Sequence, residues 1–352
     1  MSNCKEIRIV DIAKMAGVSV GTVDRVIHNR GRVSAANYTR VMTVLKEVDY
    51  RPNMVARSLA SKKVYHIVVI IPAYAPGEYW EYISRGVDRA VEDFRQYHLS
   101  VTKLYFDQFN EASFESLLRD IKLDEVDGVL LGTLFYDLVC SFSKELDARK
   151  IPYVYVDSDI PGERRMAFIG TDSLVGGQIA ARILFRNITK EADILMARIV
   201  HTGAESTQAK NRLSGFNAYL TSIDYKGCMY RVDLDLSDDR HNYEILDAIF
   251  HEHPNIKAAV IFNSKAYIVG EYLKNRNRKD ISLVGYDLIE KNAQLLEEGY
   301  IEALIDQRPR MQGYMGVKLL CERLILNGEI GNNNLLPIDI LIKENYKFSE
   351  TY

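Results

Sequence analysis

The sequence predicts two parts of different fold class: a small all-α helix-turn-helix head, and behind it a larger α/β body of two doubly wound parallel-sheet lobes. Two observations predict this division. Residues 1–63 hold 12 Lys and Arg against 5 Asp and Glu, whereas the remaining 289 residues hold 33 against 43. The hydrophobic pattern also changes near residue 64, from helical spacing to apolar runs that alternate with helical segments. A basic head on an acidic body is typical of a module that meets a polyanion, joined to one with another role.

Three segments of the head carry apolar side chains at helical spacing. Gly17 tolerates the positive φ that ends a helix, and Ser19 can cap the next helix by accepting a backbone N–H. A third helix begins at Ser34 and closes a small core. Two short helices joined by a glycine turn predict a helix-turn-helix, whose second helix fits the major groove of a duplex. The apolar positions are Ile9, Ile12, Ala13 and Ala16, then Val23, Val26 and Ile27, then Val41, Val44, Leu45 and Val48.

The segment YRPNMVARSLASKK at residues 50–63 predicts a further short helix. Pro52 ends the preceding segment, and Asn53 can cap a helix that runs to about Ser61. So short a helix is marginal by itself in water. We therefore expect it to become ordered when a partner receives it.

The runs IRIVDIAKMAGVSVGTVDRVIHNRGRVS and YRPNMVARSLASKK closely resemble the DNA-binding head of LacI/GalR-type bacterial transcription repressors. In that family the second helix reads operator bases, and the later short helix is a hinge. The hinge pairs with its twin in a dimer and wedges a leucine into the minor groove. The resemblance implies DNA contacts from the head at Ser19, Val20, Gly21, Thr22, Arg25 and Arg32, and from the hinge at Asn53, Ala56 and Leu59.

Three positions of the predicted recognition helix depart from the family pattern. Val20 and Gly21 stand where relatives often have polar or aromatic side chains, and Asp24 stands where the family usually has Ser. Valine makes no bidentate base contact, but it can pack on a thymine methyl group. The departures predict an operator outside the common family consensus.

From Val64 onward the chain alternates strands with helices. HIVVIIP is a continuous apolar run that ends at Pro72, as expected of a strand buried on both faces. A helix follows, and two successive sets of this alternation predict two similar lobes with helices on both faces of each sheet. Ligands of such sheets bind at the carboxyl ends of the strands. The further predicted strands are VTKLYF, DGVLLGT, IPYVYVD, AFIGTD, ADILMARIV, CMYRVDL, AAVIFN, ISLVGYD and IEALIDQ, and the further predicted helices cover 111–122, 137–149, 173–187, 207–222, 242–252 and 264–274.

The body resembles the type I periplasmic sugar-binding proteins, as the sensor half of LacI/GalR-type repressors does. The resemblance spans nearly all of residues 65–345 and is carried by IVVIIPAYAPGEYW, NRLSGF, AAVIFN and VGYDLIEKNAQLLEEGYIEALIDQRPRMQGYMG. The last of these segments is most similar to the ribose-binding-like branch. The resemblance implies a sugar or polyol held between the lobes by aromatic faces and by groups that bond its hydroxyls.

The ligand residues that the resemblance implies lie mostly at strand ends: Tyr79, Trp80, Asp157, Arg212, Asn263, Asp287 and Gln307. Carboxylate, amide and guanidinium groups suit a polyol because each hydroxyl both donates and accepts. Structural alternatives stay open at this point. The two aromatic residues could belong to a lobe core, the aspartates could be turn residues, and Arg212 could form an interlobe salt bridge. Ser264 replaces the Asp that the family usually has after Asn263, which argues against an ordinary hexose site.

The predicted domains follow from these patterns. Residues 1–51 form the helix-turn-helix domain, 52–63 the hinge helix, and 64–352 a two-lobed effector-binding and dimerisation domain. The N-lobe is expected at about 64–160 plus 292–322, and the C-lobe at about 161–291 plus 323–345.

Catalytic and metal chemistry have no support in the sequence. The four cysteines are scattered without metal spacing, and neither a phosphate-binding glycine motif nor a nucleophile elbow occurs. We therefore expect no enzyme, no metal and no cofactor. There is no stretch of about 20 apolar residues and no secretory signal pattern at the N-terminus, so we expect no membrane contact and a cytoplasmic location.

Together these observations predict a homodimeric transcription regulator, most simply a repressor. It would bind double-stranded operator DNA, and a sugar or polyol effector would control that binding. The principal alternative is a solute-binding protein for sugar uptake, which would need no basic head. A doubly wound enzyme that uses a nucleotide, and a regulator with a phosphosugar or protein effector, also remain open.

Overall fold

The computed structural model describes residues 8–27, 31, 33–48, 63–199, 206–326, 331 and 333–351. The chain divides into two compact units, Met1–Ser61 and Lys62–Tyr352. The predicted DNA contacts Arg32, Asn53, Ala56 and Leu59, and the hinge helix at 52–63 apart from its last residue, lie outside the described residues.

The smaller unit contains three helices: α1 (Ile9–Ala16), α2 (Val20–Ile27) and α3 (Ala35–Glu47). Gly17 ends α1 in the left-handed region with φ 62°, and the hydroxyl of Ser34 accepts from the backbone N–H of Asn37 at the start of α3. A single small core joins the three helices through Ile12, Ala13, Ala16, Val23, Val26, Val41 and Val44. The glycine turn and the apolar spacing are as predicted.

The first lobe of the larger unit is a six-stranded parallel sheet with helices on both faces. Its strands are β1 (Tyr65–Pro72), β2 (Leu99–Phe106), β3 (Gly128–Gly132), β4 (Tyr153–Val156), β5 (Ala167–Gly170) and β11 (Asn333–Leu335), and its helices are α4 (Tyr79–Asp93), α5 (Glu111–Asp120), α6 (Tyr136–Arg149) and α12 (Pro309–Leu326). The strand order is β11-β5-β4-β3-β1-β2. Helices α4 and α12 cover one face, and α5 and α6 cover the other.

The second lobe repeats this plan. Its strands are β6 (Asp193–Ile199), β7 (Met229–Leu234), β8 (Ile256–Ile261), β9 (Ser282–Tyr286), β10 (Ala303–Asp306) and β12 (Asp339–Leu341), and its helices are α7 (Ser173–Leu184), α8 (Thr207–Ser222), α9 (Asp239–Glu252), α10 (Tyr267–Asn275) and α11 (Glu290–Glu298). The order is β12-β10-β9-β8-β6-β7, with only the β10–β12 pair antiparallel. Helices α7 and α8 lie on one face, and α9, α10 and α11 on the other.

Three of the predicted lobe assignments are wrong. Strand β11 pairs with β5 in the first sheet, although 323–345 was assigned to the C-lobe. Strand β5 pairs with β4 and belongs to the first sheet, although the C-lobe was expected to begin at 161. Strand β10 pairs with β9 and belongs to the second sheet, together with α11, although 292–322 was assigned to the N-lobe. The apolar pattern marks a strand as buried but does not specify which sheet receives it.

The chain therefore passes between the lobes three times, at 171–172, 307–308 and 336–338. The short strands β11 and β12, which flank the third crossing, were not predicted. Within the described ranges, no helix combines the length and the apolar character needed to cross a bilayer.

Candidate functional site

Three predicted residues directly follow strand ends on the facing edges of the two sheets. Asp157 follows β4, Asp287 follows β9 and Gln307 follows β10. Both aspartates have positive φ, 77° and 64°, and both are held by backbone hydrogen bonds from their own N–H, to Ile169 and to Ile305. Aspartate tolerates this conformation better than most residues, and such backbone strain is concentrated at functional sites.

One continuous chain of hydrogen bonds joins these side chains across the lobes. The hydroxyl of Tyr79 donates to Asp157 Oδ1 at 2.7 Å. Gln208 Nε2 donates to the same oxygen at 3.2 Å and to Gln307 Oε1 at 2.8 Å. Gln307 Nε2 then donates to Asp287 Oδ1 at 2.9 Å. Four residues that the sequence predicts separately thus share one buried network, which a glutamine of α8 completes.

Gln312 supports the same network from the first turn of α12. It is fully buried, its Oε1 accepts from the backbone N–H of Asp157 at 3.0 Å, and its Nε2 donates to the carbonyl of Gln307 at 3.0 Å. Sequence reasoning missed Gln208 and Gln312 because neither follows a strand. Gln208 lies four residues before Arg212 on one helix, so helical spacing places it on the same face, and that signal could have identified it.

Arg212 is buried in the second lobe, with only 1% of its surface exposed. Its Nη1 donates to the carbonyl of Phe262 at 2.6 Å, and its guanidinium lies 3.9 Å from the centre of the Tyr286 ring. Arg212 Nε and Nη2 and the Tyr286 hydroxyl are buried, and no described residue bonds them. Unpaired buried donors are costly, especially on a charged group. These three groups are therefore suited to donate hydrogen bonds to the oxygens of a ligand.

Burial dominates the electrostatics of the site. It raises the pKa of Asp157, although the hydrogen bond from Tyr79 and the charge of Arg212 oppose it. Burial also raises the pKa of Asp287 to about 8, again against the effect of Arg212. At neutral pH the Asp287 carboxyl is therefore mostly protonated and can donate as well as accept.

A second contact crosses between the lobes at the start of two helices. Lys265 Nζ of the second lobe is hydrogen-bonded to Glu78 Oε1 of the first, and the two side chains are only 12% and 30% exposed. Burial acts to raise the pKa of Glu78, but the bonds from Lys265 and from the Ala75 N–H outweigh it and lower that pKa. The pair is therefore charged, and it connects the lobes directly.

Three predicted ligand residues lie outside this hydrogen-bond network: Arg212, described above, Trp80 and Asn263. Trp80 is buried in the core of the first lobe, and its ring packs closely on Gly132. A Cβ atom added to Gly132 would lie 3.3 Å from the Trp80 ring. Asn263 Oδ1 accepts from the backbone N–H of Lys265 at 2.9 Å and so stabilises the turn after β8. The placement of Trp80 agrees with the structural alternative left open above.

Four of the predicted DNA contacts of the head lie at the start of α2, and Arg25 lies in its last turn. Ser19, Val20, Gly21 and Arg25 are exposed, and Thr22 is partly buried. The Ser19 hydroxyl accepts from the Thr22 N–H at 3.2 Å and so caps the helix. Val20 is 45% exposed.

Two family descriptions match the chain, one for each unit. Residues 8–53 match the bacterial regulatory proteins of the lacI family, and residues 67–329 match a periplasmic binding protein domain.

Curated relatives include transcription regulators. The ribose operon repressor of Escherichia coli K12 is 30% identical over 304 residues, which cover 80% of this chain and 82% of the repressor. The HTH-type transcriptional regulator DegA of Bacillus subtilis is 30% identical over 210 residues, so the match spans 59% of each protein.

Solved structures share the fold of the body. A protein described as a LacI transcriptional regulator from Bacteroides fragilis is 33% identical with a TM-score of 0.78, and the match covers 81% of this chain and 99% of that one. A carbohydrate-transporter solute-binding protein from Agrobacterium radiobacter, in complex with D-arabinose, has a TM-score of 0.70 at 21% identity over 81% of this chain and 96% of that one, which shows a common fold. The chain belongs to the LacI family of bacterial regulatory proteins, and a periplasmic-binding-protein domain forms most of its larger unit.

Proposed function

We propose that this protein is a transcription repressor whose affinity for double-stranded operator DNA is set by a sugar or polyol bound between the lobes of its larger unit. The observation that carries the proposal is the buried polar network between those lobes, in a chain that also has an exposed, capped helix-turn-helix. Such a role places the protein in the cytoplasm, where operator DNA lies.

The chemistry of the cleft suits a hydroxyl-rich ligand. Asp157, Gln307 and Asp287 offer acceptors and donors side by side, and Arg212 adds unpaired donors. Each sugar hydroxyl both donates and accepts, so a mixed set of groups can satisfy it without excess charge. A site that bonds hydroxyls rejects analogues that lack them, because its own polar groups are then left unpaired.

The proposed DNA contacts combine charge with a nearly apolar reading surface. Arg25 offers a phosphate contact, and Val20 offers a surface for a thymine methyl group. We propose that Asn53, Ala56 and Leu59 contact the minor groove. A homodimer would bind a two-fold site with two such heads.

Ligand and DNA are coupled if the effector binds one arrangement of the lobes better than another. The three crossings at 171–172, 307–308 and 336–338 allow the lobes to rotate relative to each other. Gln307 belongs both to these crossings and to the polar network. The coupling is reciprocal, so DNA also changes the affinity for the effector.

The proposal is tested with the full chain by fluorescence anisotropy on duplexes selected from a random pool, and by a thermal-shift screen of pentoses, hexoses, inositols and their acids. We expect salt-sensitive duplex binding and one compound class that both stabilises the protein and shifts its DNA affinity. Asp157→Ala and Asp287→Ala should each weaken effector binding about 10- to 100-fold, the loss expected for a hydrogen bond to a carboxyl group. Failure to bind any duplex at low salt, or unchanged effector affinity in both variants, would contradict the proposal.

A further inference from the structure

Gln208 occupies the position in the network where a ligand hydroxyl would be expected to donate. It lies on α8 of the second lobe, is 8% exposed, and its single amide nitrogen lies within 3.2 Å of Asp157 Oδ1, the Asp157 carbonyl and Gln307 Oε1. The first two acceptors belong to the opposite lobe. The Gln208 side chain thus joins both lobes and the crossing between them that contains Gln307.

The acceptors that Gln208 engages are nearly saturated by the protein itself. Asp157 Oδ1 already accepts from Tyr79 at 2.7 Å, in addition to the Gln208 amide at 3.2 Å. Gln307 Oε1 accepts from Gln208 and, weakly, from Thr171 at 3.5 Å. A sugar hydroxyl that approaches either oxygen must therefore displace the Gln208 amide.

We propose that Gln208 is a built-in competitor of the effector: its amide satisfies Asp157 and Gln307 and holds the lobes together, and an effector binds only by replacing those bonds. This inference rests on the proposed function and adds a rule of selectivity. Gln208 rejects compounds that cannot place donors on both Asp157 and Gln307, because they leave at least one broken bond uncompensated. The affinity of an accepted effector is reduced by the fraction of protein held in the self-closed state.

Hydrogen–deuterium exchange of the full chain, without any ligand, tests whether Gln208 holds the lobes together. We compare wild type with Gln208→Ala and Gln208→Met, the second of which keeps the side-chain length but cannot donate. Deuterium uptake should rise in both variants at residues 153–160 and 206–214, the segments that Gln208 joins. The matched control is Gln294→Ala, since Gln294 is an exposed glutamine of α11 that bonds only Glu298 at 3.2 Å among the contacts described. Unchanged uptake in both Gln208 variants would overturn the proposal.

The competition half is tested by titration calorimetry with the best compound of the sugar screen. Gln208→Ala should bind it about tenfold more tightly, because roughly 1.4 kcal/mol of hydrogen bonding no longer has to be broken, and it should accept more of the screened sugars. Weaker or unchanged binding would overturn the inference and leave the proposed function standing. If no sugar binds any variant while exchange still rises in both Gln208 variants, the proposed function fails and the closing role of Gln208 is supported.

Discussion

Asp287 combines three features that seldom coincide in one residue. It is 3% exposed, it has φ 64°, and burial raises the pKa of its carboxyl to about 8. Each feature costs stability in the absence of a compensating role. Their coincidence at a strand end that faces the opposite lobe favours a binding role over a turn role for this residue.

The raised pKa makes the stability of the larger unit depend on pH. The native carboxyl holds its proton up to about pH 8, whereas the unfolded one loses it near pH 4. Between these values the native state binds more protons, so the contribution of Asp287 to stability falls as pH rises and stays low above pH 8. Asp287→Asn removes this dependence. We expect the variant to gain at least about 1.4 kcal/mol relative to wild type between pH 5 and pH 8.5, since one pKa unit corresponds to about 1.4 kcal/mol.

Urea unfolding at the two pH values measures this difference. Asp120→Asn, a change of an exposed carboxylate at the end of α5, is the matched control and should show no such gain. A constant stability difference between Asp287→Asn and wild type across the range would mean that Asp287 titrates normally.

At the start of α2, the residues predict an unusual operator. Val20 is exposed, Gly21 offers no side chain, and Asp24 brings a carboxylate to the partly exposed side of the helix. Selection of duplexes from a random pool should therefore return half-sites with thymine methyl groups opposite Val20 instead of the usual family half-site. Val20→Ala should lower affinity for the selected site about tenfold, within the range for a lost base contact, and leave nonspecific binding unchanged. Recovery of the usual half-site would refute this prediction.

Elements differed in how well the sequence predicted them. Gly17, with its left-handed φ, and Ser19, with its capping hydroxyl, depend only on local chemistry, and both have the predicted conformation. Asp157 and Gln307 were identifiable because apolar strands end just before them. Gln208 was missed, since a polar residue inside an amphipathic helix is usually exposed, and only tertiary packing turns it toward the other lobe.

Helices α7 and α8 approach each other so closely that a side chain on Gly177 has no space. A Cβ on Gly177 would lie 1.9 Å from the carbonyl oxygen of Arg212, whereas one on Gly176 would meet nothing closer than the Tyr286 hydroxyl at 3.5 Å. Gly177→Ala must therefore separate the helices and displace Arg212. We expect a loss of at least about 2 kcal/mol, as for an overpacked core, together with weakened effector binding.

Gly176→Ala is the neighbouring control for this pair. The new methyl group makes ordinary contacts, and alanine favours a helix by about 1 kcal/mol over glycine. Thermal unfolding should therefore show a neutral or slightly raised midpoint. Equal destabilisation by both substitutions would show that the close backbone approach is not the cause.

At the scale of the whole molecule, lobe membership was the feature that sequence reasoning could not assign. The apolar runs of β5 and β10 predict ordinary buried strands. Each strand nevertheless pairs within the sheet of the lobe to which the predicted domain boundaries did not assign it. Hydrophobic periodicity specifies burial and element type, whereas sheet membership depends on contacts between distant segments. The same limit applies to Glu78 and Lys265, which are 187 residues apart in sequence.

The Glu78–Lys265 pair predicts how charge controls the arrangement of the lobes. Glu78→Lys places like charges across the cleft, so the ligand-free protein should open and its radius of gyration should rise in small-angle X-ray scattering. The double variant Glu78→Lys with Lys265→Glu restores opposite charges and should close again. Because both side chains are partly exposed, the coupling should be about 0.5–1 kcal/mol and should weaken with salt.

A matched ion pair separates this effect from a general change of charge. Lys274 and Glu298 pair at 2.7 Å entirely within the second lobe, with side chains that are 40% and 31% exposed. Lys274→Glu should therefore leave the radius of gyration unchanged. If the double variant stays as open as Glu78→Lys, or if Lys274→Glu opens the protein equally, the pair does not connect the lobes energetically. If the swap closes the protein, the resting arrangement of the lobes is set jointly by a salt-sensitive ion pair at the rim of the cleft and by the salt-insensitive amide of Gln208 inside it.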